Sequence, residues 1–174
     1  MRPYFYETAE IEITDLIYPN RMDILLRIEF LKELDSNGEK SAINNTPYTD
    51  FYDRRYPNRS TIKYVKSFVS LYRSIKRDGF DRSYSVPVVR YENCHNVVLP
   101  PDYKTVSYQS HSHYQLKNGA HRTAILKHLG ERTVPCFIFS PNDSDVPDYS
   151  TYIETNSDIL EGYELKTELA TLKS

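Results

Sequence analysis

Tryptophan is absent from this chain of 174 residues, and cysteine occurs only twice. Cys94 and Cys136 lie far apart, so the chain has no Cys-x-x-Cys spacing and no framework of paired cysteines. A disulfide-rich secreted scaffold is therefore excluded, and the pattern favours a reducing intracellular environment.

Long apolar runs are also missing. No stretch approaches the roughly 20 residues that a membrane-spanning helix needs. The first residues do not combine a positive region with an apolar core, as a secretion signal does. We therefore expect a cytoplasmic protein with no membrane partner.

An excess of positive charge is the third absence. The chain has 22 Lys and Arg residues against 24 Asp and Glu, and its formal net charge is −2. Binding to duplex DNA through its phosphates requires a broad excess of Lys and Arg over the contacting surface. A surface built throughout for duplex DNA is therefore excluded, whereas local basic patches are not.

Apolar residues recur with both strand-like and helix-like periods, which predicts a single α+β domain over residues 1–174. Alternation predicts a strand at 10–14, and helical spacing from Ile24 to Leu31 predicts a helix that runs toward Gly38. Further strands are predicted at 86–91, 108–116 and 133–139, further helices from about 61 to Gly79 and at 120–128, and a terminal helix within 157–172.

Between 35 and 60 this periodicity is lost, and Asn, Pro, Tyr and Arg dominate. We interpret the stretch as a long irregular insertion, which in a domain is usually mobile or functional. It can be a lid over a ligand, a loop packed by its own rings, or a surface on which single-stranded nucleic acid stacks. The acidic overall charge favours a lid or packed loop. The candidate substrate or lid residues are Tyr52, Arg54, Arg55 and Tyr56, and a turn-rich extension covers 140–174.

The stretch from Tyr114 to Gly130 is the most informative in the chain. It predicts a strand, a glycine turn with basic side chains and a helix, and the apolar run 134–139 then predicts another strand. A helix N-terminus offers unpaired N–H groups and the positive end of the dipole, so basic residues there indicate an anion site, most plausibly for phosphate. The candidate phosphate-binding residues are Lys117, Asn118, Gly119, Ala120, His121, Arg122 and Thr123.

Individual roles follow from side-chain chemistry. Arg122 offers a planar fork for two phosphate oxygens, and Lys117 and His121 add donors. Gly119 lacks a Cβ, so it allows close backbone approach to a ligand and a positive φ. Thr123 can bind a phosphate oxygen or Mg²⁺, or it can hydrogen-bond within its own helix.

The same residues resemble a known family. Gly119, His121 and Arg122, followed by an apolar run, Leu-Gly and a Val-Pro strand, are similar to the signature of the ParB/sulfiredoxin superfamily. Residues 74–79 with 86–89, and more weakly 11–19, resemble its other blocks. The resemblance implies a small mixed sheet flanked by helices, binding of ATP/ADP or CTP with Mg²⁺, and phosphoryl chemistry.

The resemblance also bears on catalysis. It implies a small-molecule kinase, with a phosphate acceptor as second substrate, or a nucleotide hydrolase. Sulfiredoxins carry their catalytic cysteine at the position of Ala120, so sulfinic-acid reduction is not expected here. The weak N-terminal similarity places four carboxylates near the nucleotide as candidate catalytic groups: Glu10, Glu12, Asp15 and Asp23.

Two other classes of function remain open. A nucleic-acid-binding or nuclease-like protein would use the Tyr/Arg stretch, and a non-catalytic interaction module would need no catalytic acid. His111 and His113 share one face of a predicted strand, but no third ligand stands at a metal-site spacing.

Overall fold

A four-stranded sheet and the helices packed on it make up the computed structural model, which describes residues 6–17, 21, 23–92 and 112–139. The elements in chain order are β1 (Tyr6–Glu12), α1 (Ile13–Ile17), α2 (Asp23–Asn37), α3 (Glu39–Asn45), α4 (Tyr48–Arg55), α5 (Thr61–Asp78), β2 (Val86–Glu92), β3 (Ser112–Leu116), α6 (Ala120–His128) and β4 (Thr133–Phe139).

The sheet is mixed, with strand order β1-β4-β2-β3. β4 pairs antiparallel with β1 and parallel with β2, and β2 pairs antiparallel with β3. β4 therefore lies inside the sheet, which agrees with its nearly continuous apolar sequence and burial. The predicted α+β class, with a small mixed sheet and helices, is confirmed.

The core consists of two clusters of buried side chains. One lies among the helices and includes Phe30, Tyr48 and Phe68, and the other lies on the sheet and includes Ile11, Val86 and Ile138. Helix α6 contributes to both, because Ile125 belongs to the helical cluster while Ala120, Ala124 and Leu126 belong to the sheet cluster. The start of α6 is thus fixed by packing from both clusters.

Most predicted elements occur in the structure. The structure confirms helices α2, α5 and α6 and strands β2 and β4. The residues that follow α2 and α5 are Gly38 and Gly79, and both have a positive φ. The first strand ends at Glu12 rather than at 14, because Ile13, Leu16 and Ile17 have helical spacing and are all buried. The predicted strand residues 108–111, and everything from 140 onward, lie outside the described residues.

The prediction of an irregular stretch at 35–60 is wrong. The end of α2 and helices α3 and α4 occupy 35–37, 39–45 and 48–55. The cause is the apolar stripe formed by Tyr48, Phe51 and Tyr52 at helical spacing, each almost fully buried, which the Tyr- and Arg-rich composition obscures. Within the described part of the chain, no helix is both long and apolar enough to span a bilayer.

Candidate anion site at the start of helix α6

The turn before α6 is held by backbone hydrogen bonds. The N–H of Lys117 donates to the carbonyl of Pro87 (3.0 Å), and the N–H of Gly119 donates to Oδ1 of Asn118 (2.7 Å). The first intrahelical bond runs from the N–H of Thr123 to the carbonyl of Gly119 (2.9 Å). Helix geometry therefore leaves the N–H groups of residues 120–122 without an intrahelical acceptor.

Gly119 has the positive φ predicted for it. Its φ is +93°, in the left-handed region, and an added Cβ would lie 2.6 Å from Cγ1 of Val86. The absence of a side chain therefore also allows α6 to pack against strand β2.

The hydroxyl of Thr123 forms a hydrogen bond within helix α6, which was one of its two predicted roles. Its hydroxyl donates to the carbonyl of Gly119 (3.0 Å), and its side chain is fully buried. Of the two alternatives from sequence, the structure shows the bond within the helix.

A pocket of about 360 Å³ opens at this turn. This volume is within the range of small-molecule sites in proteins. Most of the predicted phosphate-binding segment lines it, together with residues from α2 and α5 and from the segments just before α2 and just after α4. The lining consists of Arg21, Arg27, Tyr56, Tyr64, Leu71 and residues 117–122.

Two arginines that sequence reasoning missed share one carboxylate at this pocket. Nε and Nη2 of Arg21 donate to the two oxygens of Asp23 (2.8 and 2.9 Å), and Nη1 of Arg27 donates to Oδ2 of Asp23 (2.5 Å). Arg21 also donates to the carbonyl of Leu116 (3.2 Å), next to Lys117 in the chain. The only available signal was the Arg-x-Asp-x-x-x-Arg spacing, which puts Asp23 and Arg27 one helical turn apart.

Arg27 is buried, with 4% of its side chain exposed. Burial lowers its pKa, but Asp23, Tyr48 and a hydrogen bond with Tyr64 raise it above the ordinary value, so the guanidinium is charged. Its carbon Cζ lies 5.2 Å from the ring centre of Tyr48. Nε of Arg27 has no hydrogen-bond partner among the described residues.

The pocket lining is rich in cationic side chains. It includes four of them, and Asp23 is a carboxylate bonded to two. Arg122 lies 5.7 Å from the ring centre of Tyr84 and has no carboxylate partner among the residues described. Such a concentration of cationic groups in one pocket favours an anion there.

His121 lines the pocket as a neutral group, so it adds no positive charge there. Burial and the nearby charge of Arg27 lower its pKa to about 3. Nε2 is 2.7 Å from the hydroxyl of Tyr48, and the ring stacks on Phe68 with centres 4.3 Å apart. These contacts anchor the first turn of α6 to the helical cluster.

Aromatic rings form another wall of the pocket. Tyr56 and Tyr64 line it, and Tyr52 lies behind them, stacked on Tyr64 at 3.6 Å. Tyr56, a candidate substrate or lid residue, lines the pocket, and it follows helix α4 rather than lying in an irregular loop. Arg54 and Arg55 are exposed on α4 and are not among the lining residues.

None of the four candidate catalytic carboxylates is among the residues that line the pocket. Glu10 accepts hydrogen bonds from Arg82 (2.9 Å), and Glu12 lies 3.3 Å from Nη2 of Arg132. Asp15 is exposed on α1, where partial desolvation and the nearby Glu12 raise its pKa. Only Asp23 lies beside the pocket, bonded to Arg21 and Arg27.

The remaining candidate groups are possible metal ligands and the thiol of Cys136. The described residues contain no cluster of three His, Cys, Asp or Glu side chains that could hold a metal ion, and the side chains of His111 and His113 lie outside them. Cys136 is buried in β4, where burial raises its pKa to about 12, as expected for an unreactive thiol.

Comparisons with protein-family models, with curated proteins and with solved structures return no match. The resemblance to the ParB/sulfiredoxin superfamily therefore stays a prediction, and the site must be interpreted from its own geometry.

Proposed function

We propose that the pocket at the start of α6 binds the phosphate groups of a nucleotide. The observation that carries this proposal is that four cationic side chains line one pocket: Arg21, Arg27, Lys117 and Arg122. The helix N-terminus adds N–H donors and the positive end of its dipole at the same place.

The tyrosines that line the pocket support a nucleotide as the ligand. Tyr56 and Tyr64 give the pocket an aromatic side beside its cationic one, which suits a ligand with both a ring system and phosphates. ATP, ADP and CTP with Mg²⁺ are the first candidates, because the resemblance implies them.

Phosphoryl transfer or hydrolysis is the reaction that this proposal favours, since that chemistry depends mainly on positioning and on neutralising charge. Arg122 would orient and neutralise the phosphates. Asp23 would hold Arg21 and Arg27 in place, because its oxygens already accept their hydrogen bonds. Asp23 is thus proposed as a positioning residue.

A thermal-shift panel with ATP, ADP, CTP and GTP, each with Mg²⁺, tests the proposal. A ligand that binds only the folded state raises the apparent stability by mass action, by about 2.7 kcal/mol at 100 times its dissociation constant. We expect at least one nucleotide to raise the melting temperature, and Arg122→Ala to remove most of that rise. Arg132→Ala, an exposed arginine outside the lining, is the matched control.

Nucleic-acid binding is the alternative function, and Arg54 and Arg55 test it. Both are exposed on α4, so they are accessible to a phosphate backbone. We expect weak, salt-sensitive binding of a single-stranded oligonucleotide. Nanomolar affinity at physiological salt that is lost in the Arg54→Ala/Arg55→Ala double variant would instead favour a nucleic-acid-binding protein.

A further inference from the structure

Helix α5 has an exposed side that is basic along its length. The helix contains five Lys and Arg residues and one acidic residue, Asp78, whereas the whole chain has 22 Lys and Arg against 24 Asp and Glu. Its apolar stripe is buried in the helical cluster, and the opposite side is exposed. We call this side the α5 face, and its members are Ile62, Lys63, Lys66, Ser70, Arg73 and Arg77.

The stability of the helix does not account for this charge pattern. Lys63 lies in the first turn of α5, where a cation is unfavourable beside the positive end of the dipole, and that turn contains no acidic residue. Arg73 and Arg77 are four positions apart, a spacing at which like charges repel each other on a helix. The cations of the α5 face therefore disfavour the helix itself, and an anionic partner would offset that effect.

The cations of the α5 face are accessible to such a partner. Lys63 and Lys66 are exposed, and neither has a hydrogen bond or an ion pair among the described residues. Arg73 is 3.1 Å from Glu39 and Arg77 is 2.7 Å from Asp78, and the two arginine side chains are 63% and 75% exposed. Ion pairs as exposed as these contribute little to stability, so the arginines can exchange them for carboxylates of a partner.

A groove of about 560 Å³ lies along the α5 face, between α5 and the start of α3. Its lining includes Lys66, Ser70, Arg73, Ser74 and Arg77 from α5 and Glu39 from α3. The ion pair between Glu39 and Arg73 places one carboxylate in this groove already. The groove therefore has the size and the charge to receive acidic side chains.

The apolar member of the α5 face favours a protein over a nucleic acid as the partner. Ile62 is 64% exposed, more than any other large apolar residue in the described part of the chain, and it lies four positions before Lys66. An exposed isoleucine can pack against an apolar side chain of a protein, but it adds nothing to the binding of a phosphate backbone. The aromatic residues of α5 are Tyr64, Phe68 and Tyr72, and none of them is exposed as a platform on which bases could stack.

We propose that the α5 face binds an acidic segment of a partner protein. Carboxylates of the segment contact Lys63, Lys66, Arg73 and Arg77, and an apolar side chain packs on Ile62. None of these five residues lines the anion pocket at the start of α6. The inference is therefore independent of the proposed nucleotide function.

Fluorescence anisotropy with a labelled peptide tests this inference. The probe is a peptide of about 20 residues with Glu at every third or fourth position and one Leu near its end, long enough to span the roughly 21 Å from Lys63 to Arg77. We expect it to bind at low salt and more weakly as the salt concentration rises, because exposed charges are screened. The same peptide with Gln in place of Glu should not bind.

Lys63→Glu/Lys66→Glu should weaken binding of the peptide at least about tenfold. The two lysines have no described partner, so the change breaks no ion pair of the folded chain. Lys32→Glu/Lys40→Glu is the matched control, because both lysines are exposed, lie on α2 and α3, and do not line the groove. It should bind within about twofold of the wild type. Melting temperatures check that both variants fold, and Lys63→Gln/Lys66→Gln should show a smaller loss in the same direction.

Ile62→Ser tests the class of partner. It should weaken the peptide about threefold, because an apolar contact is lost, and should leave the affinity for a single-stranded oligonucleotide unchanged. An unchanged affinity for the peptide would contradict the proposed contact with an apolar side chain and overturn the inference.

The remaining outcomes are equally decisive. Failure of the peptide to bind at low salt, or equal losses in the two double Glu variants, would overturn the inference. An oligonucleotide that binds more tightly than the peptide, and is lost in Lys63→Glu/Lys66→Glu, would assign the α5 face to nucleic acid instead. Arg122→Ala should bind the peptide like the wild type, since a loss there would place the peptide in the anion pocket and also overturn the inference. Nucleotide binding by Lys63→Glu/Lys66→Glu reports separately on the proposed function.

Discussion

At the scale of single residues, Gly119 determines how closely α6 approaches the sheet. Gly119→Ala combines a strained positive φ with a steric clash, because the new Cβ meets Val86 at 2.6 Å. We expect the variant to lose about 3 kcal/mol of unfolding free energy, measured by urea denaturation.

Gly79→Ala is the matched control, because Gly79 has a φ of +83° but no atom within 4 Å of an added Cβ. The strain of a positive φ alone should cost about 1 kcal/mol of unfolding free energy in this variant. Equal losses in the two variants would show that the contact with Val86 does not matter.

His121 predicts a pH dependence of stability. Its pKa is about 3 in the folded protein against an ordinary value of 6.5, so between these values the unfolded chain binds a proton that the folded chain does not. Its contribution to unfolding free energy is complete above about pH 6.5 and is lost as the pH falls toward 3.

The measurement is unfolding free energy at several pH values from about 6.5 down to about 4.5, and comparison with His121→Gln removes the contribution of carboxylates that titrate near the lower end. The wild type should lose up to about 1.4 kcal/mol per pH unit more than His121→Gln does. The same slope in both proteins would mean that His121 is not the titrating group.

At the scale of elements, one polar cluster ties the C-terminal parts of three helices together. Asp35 on α2 accepts hydrogen bonds from Tyr72 (2.5 Å) and Lys76 (2.9 Å) on α5 and is 3.0 Å from Nε2 of His128 on α6. Partial burial raises the pKa of Asp35, but the bonds from Tyr72, His128 and Lys76 lower it to about 2. The cluster thus holds the far ends of the helices that carry the pocket.

Tyr72→Phe tests this tie by removing one hydroxyl. Because the cluster is partly exposed, we expect a loss of only about 1 kcal/mol of unfolding free energy. Tyr84→Phe is the control, since Tyr84 is 60% exposed. No difference between the two variants would indicate that the cluster does not stabilise the helix arrangement.

The elements differed in how far sequence could predict them. α5 and β4 were predictable because their apolar residues follow one period from end to end, and glycine marks the end of α5. Helix α4 could not be predicted in this way, because its buried stripe of Tyr48, Phe51 and Tyr52 is made of residue types that also occur on protein surfaces. What makes them core residues is tertiary packing against α5 and His121, which local periodicity does not record.

At the scale of the whole molecule, the pocket lies where the start of α6 meets α2, α4 and α5. Sequence predicted the α6 part, since the basic residues adjoin a helix start. It did not predict Arg21 and Arg27, which lie about 90 positions away along the chain and reach the turn only in the folded protein. Asp23 was predicted to be a catalytic group because the weak N-terminal similarity implies it, although its two arginine partners are only two and four positions away.

The central claim is that Arg122 and its neighbours bind nucleotide phosphates. The most direct test is the dissociation constant of the best nucleotide from the thermal-shift panel, measured by calorimetry for the wild type, Arg122→Ala and the control Arg132→Ala. A charge-assisted contact is worth about 1.5 to 3 kcal/mol, so Arg122→Ala should weaken binding roughly 10- to 100-fold. The control should bind like the wild type, and an unchanged dissociation constant in Arg122→Ala would contradict the assignment of this site.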